Sequence, residues 1–418
     1  MKIIVILLFC FASLLRSEAQ NENLAAKDAP AMPGAYRMSE YLSFLQNKKV
    51  AVFANATSLV GSTHLVDTLR KRGINIIKIF APEHGFRGAA DAGASVGNDT
   101  DRATGIPIIS LYGKKEKPSA EDLHDVDILV FDIQDVGVRF YTYIGSLQYC
   151  MEAAFEMDKP LLILDRPNPN GFYVDGDVLD TAYRSFVGMQ PVPVVYGMTI
   201  GEYAMMIAGE HWLSTAAANE KYNKYKNKPH HSADTPFHFL VITCANYSHK
   251  TKYQLPVAPS PNLASMGAVY WYPSTCFFEG TNLSEGRGTG HPFEIFGHPS
   301  LPNTLFSFTP HSNKGATYPK WKDKTCYGWN LTKEKPLAQL NLHWLLEAYR
   351  LFPEKDSFFI NPKSAQPTHF FFNKLAGNSI LMQQIREGKT EAQIRASWQS
   401  KLKAFKIIRK KYLLYKDF

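Results

Sequence analysis

The first half of the chain alternates short, continuous apolar runs with stretches of helical spacing. The apolar runs cover residues 50–54, 74–80, 106–111, 127–131 and 161–164. The helical spacing predicts helices at 64–71 and 140–157. Runs of this length that alternate with helices are typical of a parallel sheet covered on both faces. The pattern therefore predicts an α/β fold with a doubly wound parallel sheet.

The pattern changes after the fifth apolar run. Further strands are predicted at 192–196 and 238–243, with a helix at 201–209 between them. The proline-rich segment 254–261 marks a domain boundary, which we place between residues 258 and 259. Strands and helices are mixed in the remainder, which ends in a long helical stretch at 391–415. A chain of 418 residues is long enough for a second, smaller α+β domain there.

Polar side chains follow the predicted strands of the first domain. Asn55, Glu83, Asp132, Asp135 and Asp165 all come at or just after strand ends. Ligands of doubly wound sheets bind beyond the carboxyl ends of the strands, so these residues predict a binding or catalytic site. The alternative is that they only cap turns and helices, and Glu83 could instead pair with Arg87.

Two further segments carry candidate chemistry. The loop 279–290 contains Glu279, Asn282, Glu285, Arg287 and four glycines, which allow close approach of the backbone to a ligand. The stiff turn 165–171 presents Arg166 and Asn168 beside two prolines. Pairs of carboxyl groups can act as general acid and general base, and arginines can hold a carboxylate in a bidentate manner. Structural roles as a tight loop and an Asp165–Arg166 brace are the alternatives.

Composition and motif content exclude several classes of function. The net charge of +8 is spread along the chain, and the basic run near residue 406 carries no nucleic-acid motif, so no nucleic-acid partner is expected. GxGxxG and GxxxxGK[ST] motifs are absent, which argues against dinucleotide and nucleotide cofactors. The absence of HExxH and of paired cysteines argues against a metal. We therefore predict no cofactor and no metal, and we expect Cys150, Cys244, Cys276 and Cys326 to be buried free thiols.

The N-terminus has the features of a secretory signal peptide. Lys2 precedes an apolar run at 3–15, and small residues follow at Ser17 and Ala19. We therefore predict export to the periplasm or the extracellular space, without stable membrane insertion after cleavage. An uncleaved anchor and a lipid anchor on Cys10 are the alternatives.

Six segments together resemble the DUF1343 family, whose characterised members are exo-β-N-acetylmuramidases of the NamZ type. The resemblance covers about residues 35–418. The segments, in this order, are Pro82-Glu-His-Gly85, Phe131-Asp-Ile-Gln-Asp-Val-Gly137, Arg139-Phe-Tyr-Thr-Tyr143, Leu164-Asp-Arg-Pro-Asn-Pro169, Ser260-Pro-Asn262 and Glu279-Gly-Thr-Asn-Leu-Ser-Glu-Gly-Arg-Gly-Thr289.

The resemblance implies a domain plan and a reaction. After a signal peptide at 1–20, a Rossmann-like catalytic domain at 21–258 would meet an α+β domain at 259–418 that completes the cleft. The protein would release N-acetylmuramic acid from the non-reducing ends of peptidoglycan fragments during cell-wall turnover or recycling. A non-catalytic glycan-binding protein of the cell envelope is the alternative function. The oligomeric state is not predicted.

The resemblance also assigns site residues. Glu83 would be a catalytic carboxylate, with either Asp132 or Asp135 as its partner, and its role as acid, base or nucleophile is open. Arg139, Arg166 or Arg287 would hold the lactyl carboxylate of the muramic acid. The remaining residues expected to bind substrate are Asn55, His84, Tyr141, Tyr143, Asp165, Asn168, Asn262, Glu279, Asn282 and Glu285.

Overall fold

The computed structural model describes residues 29–87, 97–225 and 238–418. The predicted signal peptide lies outside these residues. The strands are β1 Val50–Ala54, β2 Leu59–Val60, β3 Thr63–His64, β4 Ile76–Ala81, β5 Asp99–Thr100, β6 Pro107–Ser110, β7 Ile128–Asp132, β8 Leu161–Leu164, β9 Phe239–Ile242, β10 Ile295–His298, β11 Phe306–Phe308 and β12 Cys326–Asn330. The α-helices are α1 Leu42–Leu45, α2 Leu65–Lys71, α3 Ala120–Leu123, α4 Tyr143–Glu156, α5 Ile200–Gly209, α6 Ala216–Tyr225, α7 Met266–Thr275, α8 His343–Leu351, α9 Phe371–Ala376, α10 Ile380–Arg386, α11 Glu391–Ser397 and α12 Gln399–Lys410.

A seven-stranded sheet with the order β5-β6-β4-β1-β7-β8-β9 forms the centre of the first half. Its strands are parallel, except for the edge strand β5. After β1 the chain forms β4, β5 and β6 on one side of β1, and it then crosses to the other side to form β7, β8 and β9. The order therefore reverses between β1 and β7, where Ala54 pairs with Asp132. This reversal is the switch point at which doubly wound sheets bind ligands, and the predicted fold class is confirmed.

Both faces of the sheet are buried because successive side chains of a strand point in opposite directions. On β1, Ala51 and Phe53 belong to the larger core, whereas Val50, Val52 and Ala54 belong to the smaller one. Burial on both faces explains why the sequence showed continuous apolar runs instead of alternation.

The second half has a three-stranded antiparallel sheet, β10-β12-β11, surrounded by short helices. Aromatic residues of the second half extend the larger core of the first half. The ring centroid of Phe140, in the first half, lies 5.4 Å from that of Tyr272 and 5.7 Å from that of Phe277, both in the second half. The predicted boundary at 258/259 stays a prediction. One hydrophobic core nevertheless crosses it.

Two of the predicted elements are wrong. Residues 192–196 form no strand and contribute only isolated bridges through Val195 to Val138 and Asp175. The predicted helix 391–415 is two helices, α11 and α12, separated at the buried Trp398 and ending at Lys410. The final residues fold back on the first half, where the hydroxyl of Tyr415 donates to Asp165 Oδ2 at 2.5 Å.

The four cysteines at positions 150, 244, 276 and 326 are buried and unpaired, as expected. Within the described ranges, no helix has both the length and the apolar character that a bilayer span needs.

Candidate active site

A cleft of about 980 Å³ lies between the two halves of the molecule, and we call it the large cleft. Its wall in the first half includes Glu83, Tyr112 and Thr142, which follow β4, follow β6 and precede α4. Its wall in the second half includes Glu279 and Arg287. The site therefore combines strand ends of the sheet with the glycine-rich loop, and its volume is typical of small-molecule sites.

A second cavity of about 260 Å³, the small compartment, opens at the switch point of the sheet. Asn55, His84 and Tyr143 line it on one side, and residues 258–261 with Lys314 line it on the other. A narrow space, the junction, lies against residues of both cavities, including Glu83, His84 and Arg287. Glu83 thus belongs to the large cleft and the junction, while His84 belongs to the junction and the small compartment.

A tight turn holds Glu83 at this position. The backbone N–H of Gly85 donates to the Pro82 carbonyl at 3.0 Å, which closes a four-residue turn. His84 occupies its third position with φ of 68°, in the left-handed region that type II turns require there. Glycine or asparagine is the usual residue at such a position, so His84 adopts an unfavourable backbone conformation next to the cleft.

The hydroxyl groups of Thr142 and Tyr112 contact the Glu83 carboxylate. Thr142 Oγ1 donates to Glu83 Oε2 at 3.0 Å. The Tyr112 hydroxyl also hydrogen-bonds to Glu83, and burial together with the negative charges of Glu83, Glu116 and Glu279 raises the pKa of Tyr112. Three carboxyl groups therefore lie within electrostatic range of one phenol. Hydroxyls can donate to a carboxylate or accept from a carboxylic acid, so this arrangement suits a group that changes its protonation state.

The glycine-rich loop presents a compact group of charges. Arg287 Nη2 contacts Glu279 Oε1 at 2.5 Å, and Arg287 Nε lies 3.2 Å from Glu285 Oε1. The ammonium group of Lys320 lies 3.1 Å from Glu285 Oε2. It also donates to backbone carbonyls in the segment 278–283, including those of Phe278 and Leu283. The two glutamates raise the pKa of Arg287, while the charges of Lys320 and Arg287 lower the pKa of Glu285.

The structure does not bring Asp132 and Asp135 to these cavities. Asp132 is fully buried, and both of its oxygens are bound by Arg166, at 2.6 Å and 2.8 Å. Asp135 accepts from the backbone N–H of Gly137 at 2.7 Å and from the Tyr196 hydroxyl. Its burial raises its pKa to about 6. The structure gives each carboxyl group structural partners, and neither lines the large cleft, the junction or the small compartment.

Two of the three candidate arginines also lie elsewhere. Arg166 forms an ion pair with Asp132 and donates a hydrogen bond to the carbonyl of Leu59. Arg139 is fully buried and donates to three carbonyls, those of Asp177, Val192 and Leu375. Burial lowers the pKa of Arg139 to about 10. Of the three arginines, only Arg287 lines the large cleft.

Four more predicted binding residues fix the backbone around the site. Asp165 accepts from the Gly201 N–H and the Thr199 hydroxyl at the start of α5, and burial raises its pKa to about 6. The amides of Asn168, Asn262 and Asn282 donate to backbone carbonyls of Met198, Gly315 and Ser357. Polar residues in turns commonly satisfy backbone groups in this way, which is the alternative that the sequence left open.

Five other predicted residues do line the cavities besides Glu83, Glu279 and Arg287. These are Asn55, His84, Tyr141, Tyr143 and Glu285. The Tyr141 hydroxyl donates to the Pro259 carbonyl at 2.8 Å, so its ring is held in the wall of the junction. Asn55 Oδ1 accepts from the backbone and hydroxyl of Thr57, and its side chain hydrogen-bonds to Tyr143.

Sequence reasoning missed several residues of the large cleft. Tyr112 and Glu116 follow β6, and their position after the end of a parallel strand is the sequence signal that could have identified them. Thr142 lies inside the motif Arg139-Phe-Tyr-Thr-Tyr143. Tyr272, Lys320 and Phe371 carry no local signal, because they reach the cleft only through the packing of the second half. In the described ranges, no three His, Cys, Asp or Glu side chains are grouped to hold a metal ion.

Comparison with known proteins places this architecture in a family. Residues 50–267 match the family described as "Exo-beta-N-acetylmuramidase NamZ, N-terminal", and residues 270–415 match its C-terminal counterpart. The chain is 36% identical to the peptidoglycan beta-N-acetylmuramidase NamZ of Bacillus subtilis (strain 168), covering 98% of this chain and 97% of the relative.

Crystal structures of two DUF1343 family proteins from Bacteroides fragilis NCTC 9343 have the same fold. One is 42% identical, with a TM-score of 0.79 over 93% of this chain and 100% of the other. The second is 26% identical, with a TM-score of 0.74 over 92% of this chain and 99% of the other. The chain therefore belongs to the NamZ (DUF1343) family of exo-β-N-acetylmuramidases.

Proposed function

We propose that the protein is an exo-β-N-acetylmuramidase that releases N-acetylmuramic acid from the non-reducing ends of peptidoglycan fragments. The observation that carries the proposal is the position of Glu83. This carboxyl group lies where the large cleft meets the junction, on a tight turn beside the switch point of the sheet, in a chain of the NamZ family.

We propose that Glu83 is the general acid that protonates the leaving oxygen. Thr142 and Tyr112 hold its carboxyl group through hydroxyls, which can accompany the group through loss and gain of a proton.

We propose Glu279 as the second carboxyl group in place of Asp132 or Asp135. It faces the same cleft from the opposite half, and its ion pair with Arg287 stabilises its negative charge. A charged carboxylate is needed either to activate water or to attack the sugar. Glu116, which also lines the cleft and whose pKa is raised by burial, is the competing candidate.

The test compares Glu83→Gln, Glu279→Gln and Glu116→Gln on a muramic acid–glucosamine disaccharide and on a 4-nitrophenyl muraminide. Glu83→Gln should reduce kcat/KM on the disaccharide by about 10²–10⁴-fold, the usual contribution of general acid catalysis. The loss should be smaller on the nitrophenyl glycoside, because an activated leaving group needs less protonation. Glu279→Gln should lower the rate on both substrates.

Glu334→Gln, at an exposed glutamate, is the matched control. Wild-type turnover of the disaccharide by Glu83→Gln would refute the role of Glu83. If Glu116→Gln loses most of its kcat/KM while Glu279→Gln stays active, Glu116 and not Glu279 is the second carboxyl group. Saturable binding of wall fragments without product would refute the enzymatic function.

We also propose that the protein is exported to the periplasm or the extracellular space. The support is the basic residue Lys2, the apolar run 3–15 and the small residues that follow it. N-terminal sequencing of the protein from fractionated cells tests this: a mature chain that begins near residue 20 is expected, and an intact N-terminus in the cytoplasm would contradict it.

A further inference from the structure

Two exposed aromatic rings line the large cleft. The side chain of Tyr318 is 88% exposed and that of Phe371 is 36% exposed. Large apolar rings lose favourable free energy when they face water, so rings in the wall of a cleft mark a surface that an occupant covers. We call these two residues the aromatic rim.

The rim is fixed relative to the catalytic carboxylates. Phe371 begins α9, which packs against the segment that carries Glu279. The contact is close because Gly280 has no side chain: a Cβ there would lie 2.5 Å from the Cα of Phe372. Tyr318 precedes Lys320, whose ammonium group binds the carbonyls of Phe278, Glu279, Thr281 and Leu283. Both rings therefore belong to segments that contact the chain around Glu279.

The sizes of the two cavities assign the direction of the glycan. An exo-acting hydrolase must hold one terminal sugar on one side of the cleaved bond and the rest of the chain on the other. The small compartment has about 260 Å³, whereas the large cleft has about 980 Å³. Glu83 lies at the junction that borders both. The terminal sugar therefore fits the small compartment, and the continuing chain fits the large cleft.

We propose that the large cleft binds the leaving part of the glycan, and that Tyr318 and Phe371 stack on N-acetylhexosamine rings beyond the first sugar after the cleaved bond. This assignment rests on the proposed muramidase function. A β-linked hexosamine presents one face of C–H groups, which packs against the electron-rich face of an aromatic ring. The rim makes the enzyme prefer longer peptidoglycan fragments over the disaccharide.

The experiment measures kcat/KM on three substrates of increasing length: the 4-nitrophenyl muraminide, the muramic acid–glucosamine disaccharide, and the tetrasaccharide with two such repeats. Wild-type protein is compared with Tyr318→Ala, Phe371→Ala and the double variant. The matched control is Phe306→Ala. Phe306 is a similarly exposed ring on β11, at 42% exposure, and it is not among the described residues that line the large cleft.

We expect wild-type kcat/KM to rise from the disaccharide to the tetrasaccharide. Each rim substitution should lower the tetrasaccharide value by on the order of 3- to 10-fold, in keeping with the strength of ring stacking, and the double variant by more. Values for the nitrophenyl glycoside should stay within about twofold of wild type, because that substrate has no sugar in the large cleft. Phe306→Ala should match wild type on all three.

Two results would overturn the inference while leaving the muramidase function intact. One is an equal loss on all three substrates, which would place the rings at the terminal sugar. The other is a tetrasaccharide value that neither substitution changes. If the wild-type protein cleaves none of the substrates, the proposed function fails and the inference fails with it.

Discussion

Polar residues at the strand ends of this protein differ in function because their surroundings differ. Asn55, Glu83, Asp132, Asp135 and Asp165 occupy equivalent places in the sequence pattern. Of these five, Asn55 lines the small compartment and Glu83 lines the large cleft and the junction, whereas the three aspartates line none of these three spaces. The three aspartates are buried and hold neighbouring elements together. A buried carboxyl group loses solvation, and at Asp135 and Asp165 this cost appears as a pKa raised to about 6.

The raised pKa of Asp135 predicts a pH-dependent contribution to stability. Its pKa is 3.8 in the unfolded chain and about 6 in the fold, so folding favours the protonated form. The contribution is fully present below pH 3.8 and is lost as the pH rises through about 6. Asp135→Asn cannot ionise. The free energy of unfolding of this variant should therefore rise relative to wild type between pH 4 and pH 6, by on the order of 3 kcal/mol at most.

Urea denaturation between pH 4 and pH 8 measures this difference. The exposed Asp356, changed to Asn, serves as the control for the loss of a carboxylate at the surface. A difference between Asp135→Asn and wild type that is the same at every pH would contradict the prediction.

The C-terminal segment shows why helical spacing overestimated an element. The predicted helix at 391–415 is interrupted at Trp398 and stops at Lys410, although the apolar spacing continues. The residues beyond Lys410 make other contacts: the Leu414 N–H donates to Glu202, and Arg409 pairs with Asp417. These contacts tie the chain end to the first half, and they outweigh the local preference for helix.

We expect Tyr415→Phe to destabilise the protein by about 2 kcal/mol. The Tyr415 hydroxyl joins Asp165 Oδ2 to the backbone N–H of Cys244, and its removal leaves both buried groups without this partner. Tyr412→Phe is the matched control, because that hydroxyl contacts Glu210 nearer the surface and its loss should cost less. Chemical denaturation gives both values. Equal effects of the two substitutions would show that the chain end is not held as described.

At the scale of the whole molecule, the two halves share one hydrophobic core. The larger core contains Phe140 and Tyr196 from the first half together with Phe277 and Trp398 from the second. The candidate active site depends on this contact, since the large cleft takes its walls from both halves.

A shared core predicts that the two halves unfold together. Trp212 is in the first half, and the other five tryptophans are in the second half. Tryptophan fluorescence, which reports mainly on the second half, should therefore give the same denaturation midpoint as far-ultraviolet circular dichroism. Two separate midpoints would show that the halves are independent folding units.

The sequence by itself determined the sheet. All five apolar runs in the first half match strands within two residues at each end, and the runs at 50–54 and 161–164 match β1 and β8 residue for residue. The reason is physical: strands buried on both faces require continuous apolar side chains, which a local pattern records. Six ordered motifs in the sequence also identify the family. The loop with Glu279 and Arg287 is recognisable in the sequence because its glycines and charges are contiguous.

Only the tertiary structure decided which carboxyl groups face the cleft. Asp132 and Glu83 each end an apolar run, yet one is bound on both oxygens by Arg166 and the other stands at the junction of two cavities. Arg166 is 34 residues from Asp132 along the chain, and Glu83 shares the large cleft with Phe371, which lies in the other half of the chain. Such partners are set by how the elements pack, and a local sequence pattern does not encode them.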